Sequence, residues 1–187
     1  DFRTKKIVDI EDAFTVEYRN VPLRGKIDMA YELKRGKGFY LLDHKTKSQI
    51  SGSMEYLLCF DFQILFYWIA AEKLYNRKVD GFVYNIIRWP QHKTLAALEK
   101  DLARRPEHFF QRFEVTFNRK DLRKFKQQLS AKLQEFQQWL NDELPTYPNQ
   151  NACTGRGWHC VYLPICGKND YSNFVQQEEF CFEELED

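Results

Sequence analysis

The sequence predicts an α/β fold in which a mixed β-sheet is flanked by helices and followed by a cysteine-rich loop. Three observations predict it. Strand-like runs open the chain, a strand–helix–strand passage crosses its middle, and a long helix with an apolar stripe precedes three closely spaced cysteines. At 187 residues, with 43% hydrophobic and 16% aromatic side chains, the chain can bury a substantial core and lies near the usual size of one domain. We expect a core over 1–150, a cysteine loop over 151–170 that completes the same domain, and an acidic tail over 171–187.

Lys6-Ile7-Val8-Asp9-Ile10 reads as a first strand. Val21–Leu33 and Gly38–Lys45 are rich in β-branched, aromatic and aliphatic residues, and the turn-prone Lys34-Arg35-Gly36-Lys37-Gly38 joins them, so they should pair as an antiparallel hairpin. A helix is expected over roughly Met54 to Tyr75. Val79–Trp89 is a further core strand, and a strand–helix–strand passage favours a right-handed crossover in a mixed sheet. A short helix near Thr94 to Arg104 and a strand over Phe110–Phe117 follow. Asn118 is placed to cap a long helix from Arg119 to Leu144, whose Leu122, Phe125, Leu129, Leu133, Phe136 and Leu140 recur at threes and fours as a core-packing stripe. Pro145 and Pro148 stop it.

Chemistry concentrates in the hairpin. Folding about Arg35-Gly36 brings Asp28 opposite or diagonal to Asp43, and cross-strand neighbours on one face lie about 5 Å apart. Two carboxylates that close repel unless a cation sits between them. Side chains alternate along a strand, so Asp43 and Lys45 share a face while His44 points away and offers its backbone carbonyl. Hard cations such as Mg²⁺ or Mn²⁺ suit Asp28, Asp43 and that carbonyl. Lys45 would hold a metal-activated water or a phosphate. Leu41-Leu42 before Asp43 and Ile27 before Asp28 imply that both acids end buried strands, where an unpaired charge is costly. Gln63 and Tyr67 lie one turn apart on an otherwise apolar helix face.

Gly25-Lys26-Ile27-Asp28, Asp43-His44-Lys45-Thr46 and Gln63-Ile64-Leu65-Phe66-Tyr67 together resemble the RecB-like branch of the PD-(D/E)XK nuclease superfamily, in order, spacing and residue type, over about residues 7 to 167. The resemblance implies a restriction-endonuclease-like core and a DNA nuclease. It implies that Asp28 and Asp43 bind metal, that Lys45 serves the nucleophilic water, and that Gln63 and Tyr67 contact DNA near the cut. Glu11 stands where family members often carry a strand Glu, and it reads equally as an exposed strand residue.

Cys153, Cys160 and Cys166 fall within fourteen residues between Gly and Pro. A disulfide set is the competing reading, but 5 cysteines is an odd number and no signal peptide is visible, so an intracellular, reducing setting and a metal fit better. Thiolate clusters select zinc or iron–sulfur. The family resemblance implies a four-iron cluster, as in the iron–sulfur branch that includes phage and bacterial exonucleases and nucleases of CRISPR adaptation. The downstream trio matches that branch and its upstream Cys is missing. The chain opens without Met, and we expect a preceding helical segment to supply that ligand and a further active-site His or Glu. Within the chain, His159, Cys59 and Cys181 are the other candidates, with Cys59 better read as a small core residue.

No transmembrane run appears, since the longest apolar stretch, Ile64–Ala71, is too short to span a bilayer. Nor is there a Gly-x-x-x-x-Gly-Lys-Ser/Thr phosphate loop, so nucleotide hydrolysis would need another chain. Net charge is only +1, but basic residues cluster at Arg3–Lys6, Lys34–Lys37 and Arg119–Lys126 while acids collect from Glu178 onward. Those clusters form a plausible phosphate track. The reading is a Mg²⁺- or Mn²⁺-dependent, end-directed DNA nuclease of recombination, repair or replication, with DNA and a helicase or recombination protein as partners. The sequence does not give its oligomeric state. Two other readings stay open: a non-catalytic DNA-binding module of a helicase–nuclease assembly, and a zinc-stapled interaction domain.

Overall fold

The computed structural model describes residues 5–34, 38–145, 149–154 and 159–176. The basic segments Arg3-Thr4 and Arg35–Lys37, the tail beyond residue 176 and Cys181 lie outside the described residues. Two compact units are present, one running to Gln128 and the other beginning at Leu129.

The first unit is built on a five-stranded sheet in the order β1-β2-β3-β4-β5. Its strands are β1 (Lys5–Tyr18), β2 (Val21–Leu33), β3 (Phe39–Lys47), β4 (Gly81–Arg88) and β5 (Phe110–Val115). Neighbours are antiparallel except β3 and β4, which run parallel and align Asp43 with Tyr84. Parallel strands need a crossover, supplied here by α1 (Met54–Leu58) and α2 (Phe62–Leu74). Helix α3 (Leu95–Arg104), capped by the Thr94 hydroxyl, and the short 3₁₀ turn Pro106–His108 link β4 to β5. The mixed sheet flanked by helices is therefore the architecture read from the sequence.

Alternation sorts the strand residues onto two faces. Leu41 joins Ile64, Trp68, Ala71, Phe82 and Ile86 in the core cluster under α2, whereas Leu42 joins Tyr31 and Val83 on the opposite face. Asp43 and Lys45 accordingly lie on the α2 side. In β2 the alternation slips: Ile27 and Ala30, three residues apart, both belong to the α2-side cluster. Met29 packs with Tyr31 on the opposite face, so the slip falls at Ile27 and Asp28.

Four expectations are corrected. The helix expected over Met54–Tyr75 is two helices, because Asp61 takes an extended backbone (ψ 122°) and its carboxylate accepts the Ile64 N–H, capping α2 afresh at 3.0 Å. Cys59, in that corner, is exposed rather than a core residue, and its thiol donates to the Glu55 carbonyl at 3.5 Å. Helix α4 (Arg119–Leu140) ends four residues early, with Asp142 in the left-handed region at φ 58°. Asn118 does cap it: its side-chain oxygen accepts the Lys120 and Asp121 N–H groups while Asp121 accepts the Asn118 N–H, a reciprocal box. Along α4, Phe125, Leu129 and Leu133 are buried, but Phe136 and Leu140 are exposed, so the apolar stripe is core packing only in its first four turns.

The second unit carries the end of α4, then α5 (Gln150–Thr154) and α6 (Leu163–Lys168). Among the described residues no helix is long and apolar enough to cross a membrane.

Candidate active site

Asp28 and Asp43 meet where β2 and β3 part. The last ladder pair is Met29 with Leu42, and one further step brings the two aspartates level. In place of a ladder bond, an Asp28 carboxylate oxygen accepts the backbone N–H of His44 at 2.7 Å. The slip in β2 turns Asp28 toward its neighbour, and the carboxylate holds the end of β3 at the point where the strands separate.

Asp43 is 2% exposed, and it is the sole buried polar or charged residue among those described. One carboxylate oxygen accepts from Lys45 Nζ at 2.8 Å, as the shared face requires. The other, Oδ2, is buried and without a hydrogen-bond partner. Burial pushes the Asp43 carboxyl above the ordinary aspartate range; Lys45 opposes this, and the charges of Asp28 and Asp61 add to the rise. An orphaned, desolvated carboxylate oxygen beside a second carboxylate is electrostatically starved of a cation. Asp43 and Asp28 thus fit a hard divalent ion. Among the described residues no three His, Cys, Asp or Glu side chains converge into a ready-made metal cage. Mg²⁺ needs only one or two carboxylates, with water and phosphate completing its shell.

His44 faces away as expected, its ring Nδ1 within 2.9 Å of the Asn85 amide, which in turn accepts from Arg112. Gln63 and Tyr67 meet each other, the amide donating to the phenol oxygen at 3.0 Å. Tyr67 is almost fully buried, with its ring edge-on to Phe14. These rings account for Gly25. A Cβ there would come within 2.6 Å of the Phe14 ring and 3.0 Å of the Tyr67 ring, so the first residue of Gly-x-Ile-Asp is the space the tyrosine occupies.

Glu11 falls level with Asp28 in the β1–β2 register, between the pairs Ile10–Met29 and Asp12–Ile27. Its backbone is left-handed, φ 51°, and its exposed side chain pairs with Lys26 at 3.5 Å rather than joining the two aspartates.

Two contributors escaped the sequence reading. Asp61 caps α2 and places a third negative charge near Asp43. Tyr84, level with Asp43 on the parallel strand, is buried; burial and then the charges of Asp61 and Asp43 push its phenol up to about 12, so it keeps its proton at neutral pH. An acid immediately before a Gln-x-x-x-Tyr helix was the available signal for Asp61, whereas Tyr84 depends on a pairing that the sequence does not specify.

In the second unit Cys153, Cys160 and Cys166 are free thiols. The Cys160 N–H donates to the Cys153 carbonyl at 2.8 Å, joining these two backbones, and Cys166 sits exposed on α6. His159 is exposed as well.

A family model of the PD-(D/E)XK nuclease superfamily matches residues 2–167. No curated protein matches the chain.

Proposed function

The chain belongs to the PD-(D/E)XK nuclease superfamily, and from that premise we propose that it is a Mg²⁺- or Mn²⁺-dependent deoxyribonuclease acting at DNA ends in recombination, repair or replication. The observation that carries this is Asp43, a buried carboxylate with one oxygen on Lys45, the other unpartnered, and Asp28 level with it. Asp28 and Asp43, with the His44 carbonyl, would hold a divalent ion, which would supply Lewis-acid polarisation of the phosphate and a more acidic water.

The chain's own groups do the rest. Asp28 is fixed by the His44 N–H, so it enters the reaction already aimed. Lys45 is positioned by Asp43 and places its ammonium where a hydroxide nucleophile and the developing phosphorane charge need a cation. Tyr67, seated against Gly25, accepts from the Gln63 amide, and Gln63 would flank the cut strand from α2. Glu11 is a further candidate ligand, available once it leaves Lys26.

We assign Cys153, Cys160 and Cys166 to a four-iron cluster, or alternatively zinc, completed by a fourth ligand; the paired backbones of Cys153 and Cys160 support this, and the thiols, which do not converge among the described residues, would be drawn together by the metal. Brown colour with iron-dependent visible absorbance identifies the cluster. A colourless, zinc-containing protein removes it.

Linear and circular DNA incubated with Mg²⁺, Mn²⁺ or chelator tests the nuclease, with Lys45→Ala and Asp43→Asn alongside and thermal melting as the check on folding. Metal-dependent loss of linear DNA that both folded variants lack supports the proposal. Tight DNA binding without cleavage by the metal-loaded protein overturns it in favour of a nuclease-like binding module.

A further inference from the structure

A groove of about 630 Å³ in the first unit lies between the later turns of α2 and the start of α4. Its floor is apolar, with Trp68 and Val79 almost wholly buried and Phe117 edge-on to Trp68. Its walls are basic. Arg77 and Lys78 come from the turn between α2 and β4, while Arg119, Arg123 and Lys126 follow one another at four and three residues along one face of α4. Glu72 is the one acid lining it, and its carboxylate already accepts from Trp68 Nε1 at 3.3 Å.

Three features select the occupant. Five cations line the groove against one engaged acid; Arg77 pairs with Glu32 and Lys78 with Asp80 outside the lining, and the positive excess left on the α4 wall, at Arg119 and Arg123, is focused by the concave surface rather than dispersed. The cations are spread out rather than gathered at a point. From Trp68 to Leu74, α2 rises about 9 Å, the axial length of two to three phosphates on one strand of a duplex at about 3.4 Å each. Arg77 is also held in place, with its guanidinium bonded to Glu32 and lying 4.4 Å over the Phe39 ring, so little side-chain freedom is lost on binding.

We propose that this groove is a second nucleic-acid backbone site, separate from the aspartates, which grips phosphates without reading sequence and sets the substrate length needed for tight binding. The proposal rests on the reading that the substrate is DNA. Asp61, beside Asp43, starts α2, and the groove begins at Trp68, about 10 Å further along the same helix. One strand of a few nucleotides therefore spans both sites, while a shorter one occupies only the first.

The test uses the full chain with EDTA, so that binding is read apart from cleavage. Fluorescence anisotropy with a 30-base-pair duplex, from 50 to 200 mM salt, compares wild type, Arg119→Gln/Arg123→Gln, and Lys93→Gln/Lys100→Gln, which removes the same charge near α3. The groove variant should bind on the order of 10-fold more weakly at the higher salt, and its slope of log affinity against log salt should be shallower by about 1.8. With Mg²⁺, its cleavage of a trinucleotide should match wild type. A groove variant whose affinity and slope equal those of wild type, or an α3 variant equally impaired, overturns the proposal and leaves the groove to an acidic protein. The two readings fail separately: loss of binding in a protein that cuts nothing sinks the nuclease and keeps the groove, whereas cleavage with unaltered binding does the reverse.

Discussion

The carboxylate of Asp28 accepts the backbone N–H of His44 at 2.7 Å, so a side chain on β2 completes the hydrogen bonding of β3 where the two strands separate. The same residue is thus a structural clamp and a candidate metal ligand. It is directed by the slip in β2 and faces the left-handed Glu11 across β1. Backbone irregularity of this kind at a site is paid for by the surrounding sheet.

Asp43→Asn should abolish cleavage and yet stabilise the metal-free protein at neutral pH. It removes a desolvated charge while keeping the side chain's shape and an acceptor for Lys45. In thermal melts with chelator the variant should unfold several degrees above wild type. Mg²⁺ or Mn²⁺ should raise the wild-type midpoint and leave the variant's unchanged. A variant that melts lower than wild type and still responds to metal contradicts the assignment.

The pH dependence has a definite sign. Burial raises the folded-state Asp43 pKa above the ordinary aspartate value of 3.8, so in the window just above that value the native state binds more protons than the unfolded state. Stability of the metal-free protein attributable to this group is therefore full below pH about 3.8 and is lost as pH rises through the raised pKa. Urea unfolding of wild type and Asp43→Asn between pH 3.5 and 7 measures it. The stability difference between the two should widen in favour of the variant with rising pH, then level off.

Gly25→Ala should cost about 1–3 kcal/mol, because the added methyl meets the rings of Phe14 and Tyr67, both packed in the core. Activity should fall further than stability explains, since Tyr67 and its bonded Gln63 are displaced. Phe14→Leu in the Gly25→Ala background should recover part of both. Urea midpoints and cleavage rates of the single and double variants decide this.

Asp61 separates into two roles by substitution. Asp61→Ala should lose about 1 kcal/mol as the cap of α2 goes, whereas Asp61→Asn should keep most of it. Both remove a charge that raises Asp43, so both should lower the acid limb of the cleavage pH profile. An unchanged acid limb in the Asn variant would show that Asp61 serves α2 alone.

Much of the site is legible in the sequence because it is local. Two strands and a short turn set the level of Asp28 with Asp43, period-two alternation sets Lys45 beside Asp43, and the helical turn sets Gln63 beside Tyr67. What escaped depends on tertiary context. The run Leu57-Leu58-Cys59-Phe60 looks like helix interior, but Asp61 reopens the backbone there and leaves Cys59 exposed. Phe136 and Leu140 keep the helical period without being buried. Gly25 reads as a motif glycine, and only the packed rings show why nothing larger fits. The left-handed Glu11 has no glycine or asparagine to announce it.

The parallel pairing of β3 with β4 carries a consequence for how the protein assembles. Asp43 and Tyr84 become neighbours only after the intervening α1–α2 crossover has closed, so until that step the carboxylate lacks the strand that pairs beside it and part of the burial that raises its affinity for protons. Proton uptake during refolding near the acid end of its titration then marks closure of the sheet, as a clock for the step at which an inert hairpin acquires its buried acid.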